Sequence, residues 1–274
     1  MLWDELLYGG SAPYYARGRL PYPPELAEAL RDELELDGTG RLLDVGCGPG
    51  SLAILLAPLF AEVVGIDADA GMVAEAECEA ERAGVRNATW LRLRAEELPA
   101  GLGTFRVAAF AQSFHWMDRE RVAAAVYELL EPGGALVHVH ATTHQGVPGD
   151  DELPHPRPPR DEIAKLVEAY LGPVRRAGRR TVPRGLPSGE DEIVRAAGFR
   201  DERLLDVGGG RVFERSEDDV VASVFSLSSA APHLFGDRLD EFEADLRALL
   251  RHASPEGRFS ERAREIALEL WTKT

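Results

Sequence analysis

Cysteine and long apolar runs are scarce in this chain of 274 residues. Two cysteines, Cys47 and Cys78, cannot build a disulfide framework, and such scarcity is typical of a reducing compartment. No run of about 18 apolar residues occurs, so we expect no membrane span. The opening stretch MLWDELLYGG lacks the basic and apolar regions of a signal peptide. We therefore predict a cytoplasmic protein.

Positive charge is also scarce, since 31 Lys and Arg oppose 47 Asp and Glu and the formal net charge is −16. Binding to nucleic acid depends on clustered basic residues, so we expect no nucleic-acid partner. Residues 156–184 depart from this balance, because arginine outnumbers acids there. This basic insertion either steers an anionic small-molecule partner or is a solvated surface that balances acidic neighbours. The sequence carries no sign of an oligomeric state.

Short apolar runs alternate with helix-like segments from Arg41 onward, in the order RLLDVG, EVVGID, ATWLRLR, FRVAAFAQ and ALVHVHA. This rhythm predicts βαβ units and a Rossmann-like, doubly wound α/β fold with a mostly parallel sheet of seven strands. The closing stretch REIALELWTK alternates with period two and is predicted as a last strand.

We predict a single domain over residues 1–274. It comprises an N-terminal lid and helix (1–35), a ligand-binding core (36–140), a cap inserted after strand five (141–188) and a C-terminal part that completes the sheet (189–274).

A glycine-rich turn, LLDVGCGPG, follows the first predicted strand directly. Such a turn lets a ligand approach the backbone closely. A phosphate-binding P-loop requires a lysine that is absent here. A dinucleotide fold requires Gly-x-Gly-x-x-Gly, whereas this turn has Gly-x-Gly-x-Gly and Ser51 stands at the third glycine position. The remaining ligand class is S-adenosylmethionine, whose ammonium group the carboxylate of Asp44 can serve.

A second acid supports an adenosine ligand. Asp67 ends the second predicted strand at the distance from the glycine turn where an acid can accept both ribose hydroxyls. Each signal alone is weak, and the two at neighbouring strand ends reinforce one another.

With these motifs the sequence resembles the class I S-adenosylmethionine-dependent methyltransferases. LLDVGCGPGSLA is similar to their first motif, VVGIDADAGMVAEA to their second, and LRAEELP to their adenine-binding segment. AAFAQSFHWMD and LLEPGGALV resemble their fourth and fifth strands. RGRLPYPPEL and SFHW are most similar to a branch that includes the trans-aconitate methyltransferases.

The resemblance implies specific roles. The three glycines of the turn would line the methionine end, and Asp67 would hold the ribose. Arg94 stands where the family often has an aspartate for the adenine amino group, and either Arg17 or Arg19 would pair with the ligand carboxylate. The predicted cofactor-binding residues are Arg19, Asp44, Gly46, Gly48, Gly50, Asp67, Ala68, Met72, Ala95, Glu96 and Gln112.

His115 follows the fourth strand and is the candidate general base, because an imidazole suits proton removal near neutral pH. The alternative is a histidine that merely orders its loop. The predicted acceptor-binding residues are Tyr14, Phe114, Trp116, His140 and His144. Cys47 is interpreted as a small filler of the turn.

His138, His140 and His144 raise the question of a metal site. No acid follows them at a spacing typical of metal ligands, so we predict none.

The sequence therefore predicts transfer of a methyl group from S-adenosylmethionine to a small molecule, at a carboxylate or hydroxyl oxygen. Methylation at nitrogen or carbon is the first alternative. A protein that binds the cofactor without catalysis, a nicotinamide-dependent oxidoreductase and a nucleic-acid methyltransferase are further alternatives.

Overall fold

The computed structural model describes residues 7–174, 176–177, 180–181 and 189–274. The strands are β1 (Arg41–Val45), β2 (Glu62–Asp67), β3 (Ala88–Arg92), β4 (Phe105–Ala111), β5 (Leu130–His140), β6 (Arg176–Ala177), β7 (Arg180–Thr181), β8 (Arg200–Gly208), β9 (Val212–Ser216), β10 (Arg258–Arg262) and β11 (Glu265–Thr272). The helices are α1 (Ala12–Gly18), α2 (Pro24–Glu33), α3 (Ser51–Leu56), α4 (Ala70–Ala83), α5 (Arg119–Leu129), α6 (Arg160–Leu171), α7 (Glu190–Ala197), α8 (Glu217–Phe225) and α9 (Leu239–Ala253).

The main sheet contains seven strands in the order β3-β2-β1-β4-β5-β11-β8. Only β11 runs against its neighbours, β5 and β8. The order reverses between β1 and β4, as in other doubly wound sheets. The predicted Rossmann-like α/β fold is confirmed, including the strand at the end of the chain.

Alternate residues of the strands enter two separate cores, because successive side chains point to opposite faces of a sheet. Leu42 and Val137 lie in the core that α2 and α3 cover. Leu43 and Leu136 lie in the core that α5 and α7 cover. The central strands are therefore buried on both faces, which explains their continuous apolar runs.

A third core lies outside the sheet and forms the cap. It joins Ile163 of α6 to Val220 and Phe225 of α8, Phe242 of α9 and Phe259 of β10. Residues 212–262, which enter the chain between β8 and β11, thus pack with the insertion that follows β5. The cap is larger than the predicted segment 141–188, because two insertions distant in sequence share one apolar core.

The N-terminal segment is attached to this cap. The hydroxyl of Ser11 donates to the carbonyl of Phe225 at 2.8 Å. Gly18 lies against α8 so closely that a Cβ there would meet the carbonyl oxygen of Ala222 at 2.4 Å. Among the helices of the described residues, none has the length and apolar character that a bilayer span requires.

The indole of Trp90 on β3 packs against two glycines. A Cβ at Gly65 would meet the ring at 2.4 Å, and a Cβ at Gly50 would meet it at 2.6 Å. Gly50 also has a φ of +78°, a conformation that residues with a side chain adopt at a cost. Gly50 therefore lets the turn pack beside Trp90.

We expect Gly50→Ala to destabilise the fold more than Gly84→Ala. Gly84 has a similar φ of +71° but nothing within 4 Å of its Cβ position, so it reports backbone strain alone. The clash with Trp90 should add about 1–3 kcal/mol to the loss in the free energy of unfolding. Urea denaturation of both variants measures the difference, and equal losses would contradict the packing role.

Candidate functional site

A cavity of about 650 Å³ opens at the carboxyl ends of β1, β2 and β4. This is the edge of the sheet where the strand order reverses, which is where doubly wound folds bind their ligands. We call it the inner cavity. The predicted cofactor residues that line it are Gly46, Gly48, Asp67, Ala68, Met72, Ala95, Glu96 and Gln112.

The glycine turn is held in place by backbone hydrogen bonds to β2. The N–H groups of Gly46 and Cys47 donate to the carbonyl of Ile66 at 2.8 and 3.0 Å. The N–H of Gly48 donates to Asp67 Oδ2 at 2.9 Å. Nothing lies within 4 Å of a Cβ built on Gly48, so its backbone faces open space. A ligand can therefore approach the turn at Gly48.

Asp67 links the turn to the start of α4. Its Oδ1 accepts the N–H of Asp69 at 2.8 Å, while Oδ2 accepts that of Gly48. Burial raises the pKa of Asp67 to about 6, and these backbone hydrogen bonds oppose the rise. The carboxylate retains lone pairs for further donors, so it can accept the ribose hydroxyls.

Asp44 is fully buried on β1, directly before the turn. Neither carboxylate oxygen has a hydrogen-bond partner of good geometry among the described residues. Burial, followed by the charge of Asp67, raises the pKa of Asp44 to about 7, although the Ala53 N–H lowers it. A buried carboxylate in this state favours a cationic ligand group nearby. The ammonium of S-adenosylmethionine fits this requirement.

The flat walls of the inner cavity are apolar. Met72 and Ala95 are buried and line it together with Ala68. Asp69 fixes the wall by capping α4, since its Oδ1 accepts the N–H groups of Gly71 and Met72. Such a wall suits a purine ring.

The part of the inner cavity predicted to hold the edge of the adenine has an arginine where the resembling family often has an aspartate. Arg94 lines the cavity where an aspartate is common, and Glu96 lies beside it. One oxygen of Glu96 already accepts the N–H of Asp118 at 3.0 Å. Its other oxygen lies 3.6 Å from Arg94 Nε. Glu96 thus has limited freedom to bind an adenine amino group.

Three aromatic side chains also line the inner cavity. Tyr8 lies edge-on to Tyr15 at 6.3 Å and to Trp116 at 6.4 Å between ring centroids. Burial raises the pKa of Tyr8 well above its usual value, and Tyr15 adds to the rise. The sequence analysis missed Tyr8 and Tyr15 as site residues. The aromatic composition of the N-terminal segment was the available signal.

A second, outer cavity of about 1520 Å³ continues from the glycine turn. Arg19 lines it, and its guanidinium lies 4.3 Å from the Tyr15 ring centroid. Arg19 also donates to the hydroxyl and carbonyl of Ser226. Its pairing with a ligand carboxylate stays a prediction.

Arg17, Asp44 and Gly50, all predicted at the methionine end, line neither the inner nor the outer cavity, and their roles there stay predictions. Arg17 pairs with Asp218 and Asp219 at the start of α8. Trp90 packs against Gly50.

The predicted acceptor residues do not meet in one pocket. Tyr14 packs on Phe225 in the cap core, and Phe114 is buried beside His138. Only Trp116 of the set lines the inner cavity. The set is dispersed because its members lie on different elements, the N-terminal helix, the turn after β4 and the end of β5.

His144 lines a separate, largely apolar cap cavity of about 1410 Å³ between α6 and α8. Its neighbour Thr143 lines the outer cavity, so one loop after β5 separates the two spaces. Cap and cofactor spaces are therefore adjacent.

His115 lies in a short 3₁₀ helix and stacks on Trp116, with ring centroids 4.7 Å apart. Burial, aided by Arg119, lowers the pKa of His115 to about 4, so its imidazole is neutral at pH 7. It lines a small cavity of about 260 Å³ with His138, which we call the histidine cavity. His115 does not line the inner cavity, and its role as a base stays a prediction.

The described part of the basic insertion is largely neutralised. Arg157 pairs with Asp151, and Arg160 makes a two-pronged ion pair with Glu261. Arg175, Arg179 and Arg184 lie outside the described residues. The two described arginines therefore provide little free charge for an anionic acceptor.

The fold and this site resemble those of the class I S-adenosylmethionine-dependent methyltransferases. The sheet order, the turn at Gly48, the ribose acid Asp67 and the unpaired Asp44 all fit that cofactor.

Comparison with known proteins agrees. Residues 42–134 match the family model described as a methyltransferase domain. An uncharacterized methyltransferase of Schizosaccharomyces pombe is 26% identical over 135 residues, which cover 49% of this chain and 52% of that protein. A ubiquinone biosynthesis O-methyltransferase of Cereibacter sphaeroides is 39% identical over 102 residues, which cover 35% of this chain and 39% of that enzyme. The chain thus spans about half, or less, of these relatives.

The solved structure of the YcgJ protein from Bacillus subtilis has a TM-score of 0.51 and 19% identity, and the match covers 90% of this chain and 97% of that one. That likeness shows the fold. Residues 42–134 of this chain therefore match a methyltransferase domain, and the inner cavity fits S-adenosylmethionine as its ligand. These matches do not test the likeness to the trans-aconitate branch.

Binding of S-adenosylhomocysteine should weaken as the pH falls through the pKa values of Asp44 and Asp67, about 7 and about 6. Ionised carboxylates hold the ligand, so protonation in the free protein competes with binding. Asp67→Asn should bind about 1.5–3 kcal/mol more weakly at pH 7.5. It should also lose the part of the pH dependence near pH 6. Calorimetry from pH 7.5 to pH 5 measures both effects.

Asp69→Asn is the matched control, because asparagine also caps a helix. It should keep the weakening of binding near pH 6, shifted slightly to lower pH, because the charge of Asp69 helps to raise the pKa of Asp67. A flat pH profile in the wild type would contradict the role given to the two buried acids.

Proposed function

We propose that this protein transfers a methyl group from S-adenosylmethionine to an oxygen atom of a small-molecule acceptor. The observation that carries the proposal is one cavity in which the open turn at Gly48 meets Asp67. The buried and unpaired carboxylate of Asp44 lies on β1, directly before that turn in the chain. When bound, the cofactor supplies an activated methyl group on a positively charged sulfur.

Different residues of the inner cavity would bind the ribose, the methionine end and the adenine of that cofactor. Asp67 would accept the ribose hydroxyls, and the turn at Gly46 and Gly48 would carry the methionine end. Ala68 and Met72 would flank the adenine. Tyr8, Tyr15 and Trp116 would exclude water from the inner cavity, since they close its side toward the N-terminal segment.

Alignment of acceptor and cofactor is the main demand on this protein. Proximity and orientation can supply most of the acceleration of such a displacement. A carboxylate acceptor requires no base, whereas a hydroxyl acceptor does. The neutral imidazole of His115 is our candidate for that base.

Two features favour oxygen as the acceptor atom. The similar Cereibacter sphaeroides protein is named an O-methyltransferase, although its match is confined to about a third of this chain. The motifs RGRLPYPPEL and SFHW resemble a branch that includes the trans-aconitate methyltransferases, whose name gives a carboxylic acid as the acceptor. The apolar lining of the cap cavity, including Ile163, Val167 and Leu234, suits an acceptor with an apolar body.

Methylation at nitrogen or carbon, and binding of the cofactor without catalysis, are the alternatives. The product separates them. An O-methyl ester hydrolyses in mild base, whereas an O-methyl ether, an N-methyl and a C-methyl product resist it and are told apart by NMR of the methyl group. Binding without catalysis gives no product. A nucleic-acid substrate is disfavoured by the net charge of −16, because such binding depends on clustered basic residues.

The first experiment is calorimetric binding of S-adenosylhomocysteine, with NAD as the control ligand. Acceptor screening with S-adenosylmethionine follows, using carboxylic acids, phenols and amines with apolar bodies and mass spectrometry of the products. We expect the protein to bind S-adenosylhomocysteine but not NAD, and to form an O-methylated product. Failure of the folded protein to bind S-adenosylhomocysteine would refute the proposal.

His115→Asn should distinguish the two kinds of oxygen acceptor. With a hydroxyl acceptor, loss of the base should lower kcat at least roughly 100-fold. With a carboxylate acceptor, kcat should change little. The affinity for S-adenosylhomocysteine should be unchanged in either case, because His115 does not line the inner cavity. A large loss of that affinity would contradict the assigned position of His115.

A further inference from the structure

A histidine cluster lies between β5 and β11, beyond the site described above. It consists of His138, His140 and Glu269, whose ligand atoms all lie within 4.8 Å of one another. His138 and His140 are two residues apart on β5 and therefore share one face of the sheet. Glu269 is the direct neighbour of His138 on β11. The sequence analysis excluded a metal because no acid follows the histidines nearby, and the sheet supplies that acid from a strand 129 residues away.

His138 is an anomaly in its surroundings. It is 2% exposed and packs between the rings of Phe110 and Phe114, with centroids 5.5 and 4.8 Å away. Neither ring nitrogen has a hydrogen-bond partner among the described residues. Buried polar groups are nearly always satisfied, so this imidazole indicates a partner that the protein itself does not provide.

The carboxylate of Glu269 is already oriented. Trp271 Nε1–H donates to Glu269 Oε1 at 2.6 Å, which directs Oε2 toward the histidines. Oε2 lies 3.1 Å from His140 Nε2 and 4.0 Å from His138 Nδ1. In metal sites, a carboxylate ligand typically also accepts a hydrogen bond from a neighbouring group that fixes its orientation.

From this arrangement we propose that His138, His140 and Glu269 bind a divalent transition-metal ion of the zinc type. Two imidazoles and one carboxylate form a ligand set that zinc uses when one coordination position remains open. Ligand atoms around tetrahedral zinc lie about 3.4 Å apart, so small side-chain rotations bring the three groups into range.

The open position would face the histidine cavity, which Glu190 also lines. Arg119 Nη1 lies 4.0 Å from Glu190, so this acid is partly neutralised and can leave the fourth position to water or to a ligand oxygen. Gln112 and Ser113 line both the histidine cavity and the inner cavity. An acceptor oxygen could therefore reach the ion; that role rests on the proposed function, whereas binding of the ion does not.

The test uses the whole chain, stripped of metals with a chelator and titrated with Co²⁺, whose visible absorption reports imidazole coordination. We expect one Co²⁺ per chain, displaced by one Zn²⁺. His140→Asn and Glu269→Gln should each weaken binding at least tenfold. His252→Asn, which removes an exposed histidine from α9, is the matched control and should bind as the wild type does.

Thermal unfolding separates loss of the site from loss of the fold. Zn²⁺ should raise the Tm of the wild type and of His252→Asn, and should leave that of His140→Asn unchanged. His140 is the decisive position, because its side chain is 35% exposed and its replacement does not open the core. If wild type and His140→Asn bind Co²⁺ equally, the cluster is an ordinary histidine–carboxylate pair and the proposal is wrong. Neither readout depends on methyl transfer.

Discussion

The hydrogen bonds between the glycine turn and the end of β2 are the constraint on which the site depends. Gly46 and Cys47 donate to Ile66, and Gly48 donates to Asp67, so the turn and the ribose acid form one unit. Parallel pairing of β1 with β2 places the glycine turn beside Asp67. The Trp90 ring packs against Gly50 of the turn and Gly65 of β2. Because the unit is tied on both sides, a cofactor would find its backbone and acid positions already formed, with little ordering entropy left to lose.

Two buried carboxylates at this edge of the sheet favour a ligand with a positive charge and hydrogen-bond donors. Asp44 and Asp67 are both buried, and burial raises the pKa of each carboxyl. A bound ammonium and ribose would compensate the cost of burying these charges, so the acids are costly to the free fold and useful to the complex. The same reasoning applies to His138, whose ring nitrogens are unsatisfied in an apolar setting.

The cap is the part of the fold least visible in the sequence. Its core joins α6 to α8 and α9, which are separated along the chain by the return to the sheet through β8. The N-terminal helix α1 packs on the cap through Gly18, and Tyr8 and Tyr15 line the cofactor cavity on the same side. Cap and N-terminal segment are therefore physically continuous, which connects the cap cavity to the inner cavity.

The sequence by itself determined the α/β fold, the glycine turn and the acids at the ends of β1 and β2, because periodicity and turn chemistry are local properties. Only the tertiary structure decided which glycine faces open space, since Gly50 is filled by Trp90 while Gly48 is not. It also separated Arg19 from Arg17 and dispersed the predicted acceptor residues over several cavities. It brought Glu269 to His138 and His140, because antiparallel pairing of β11 with β5 joins residues that no local spacing relates.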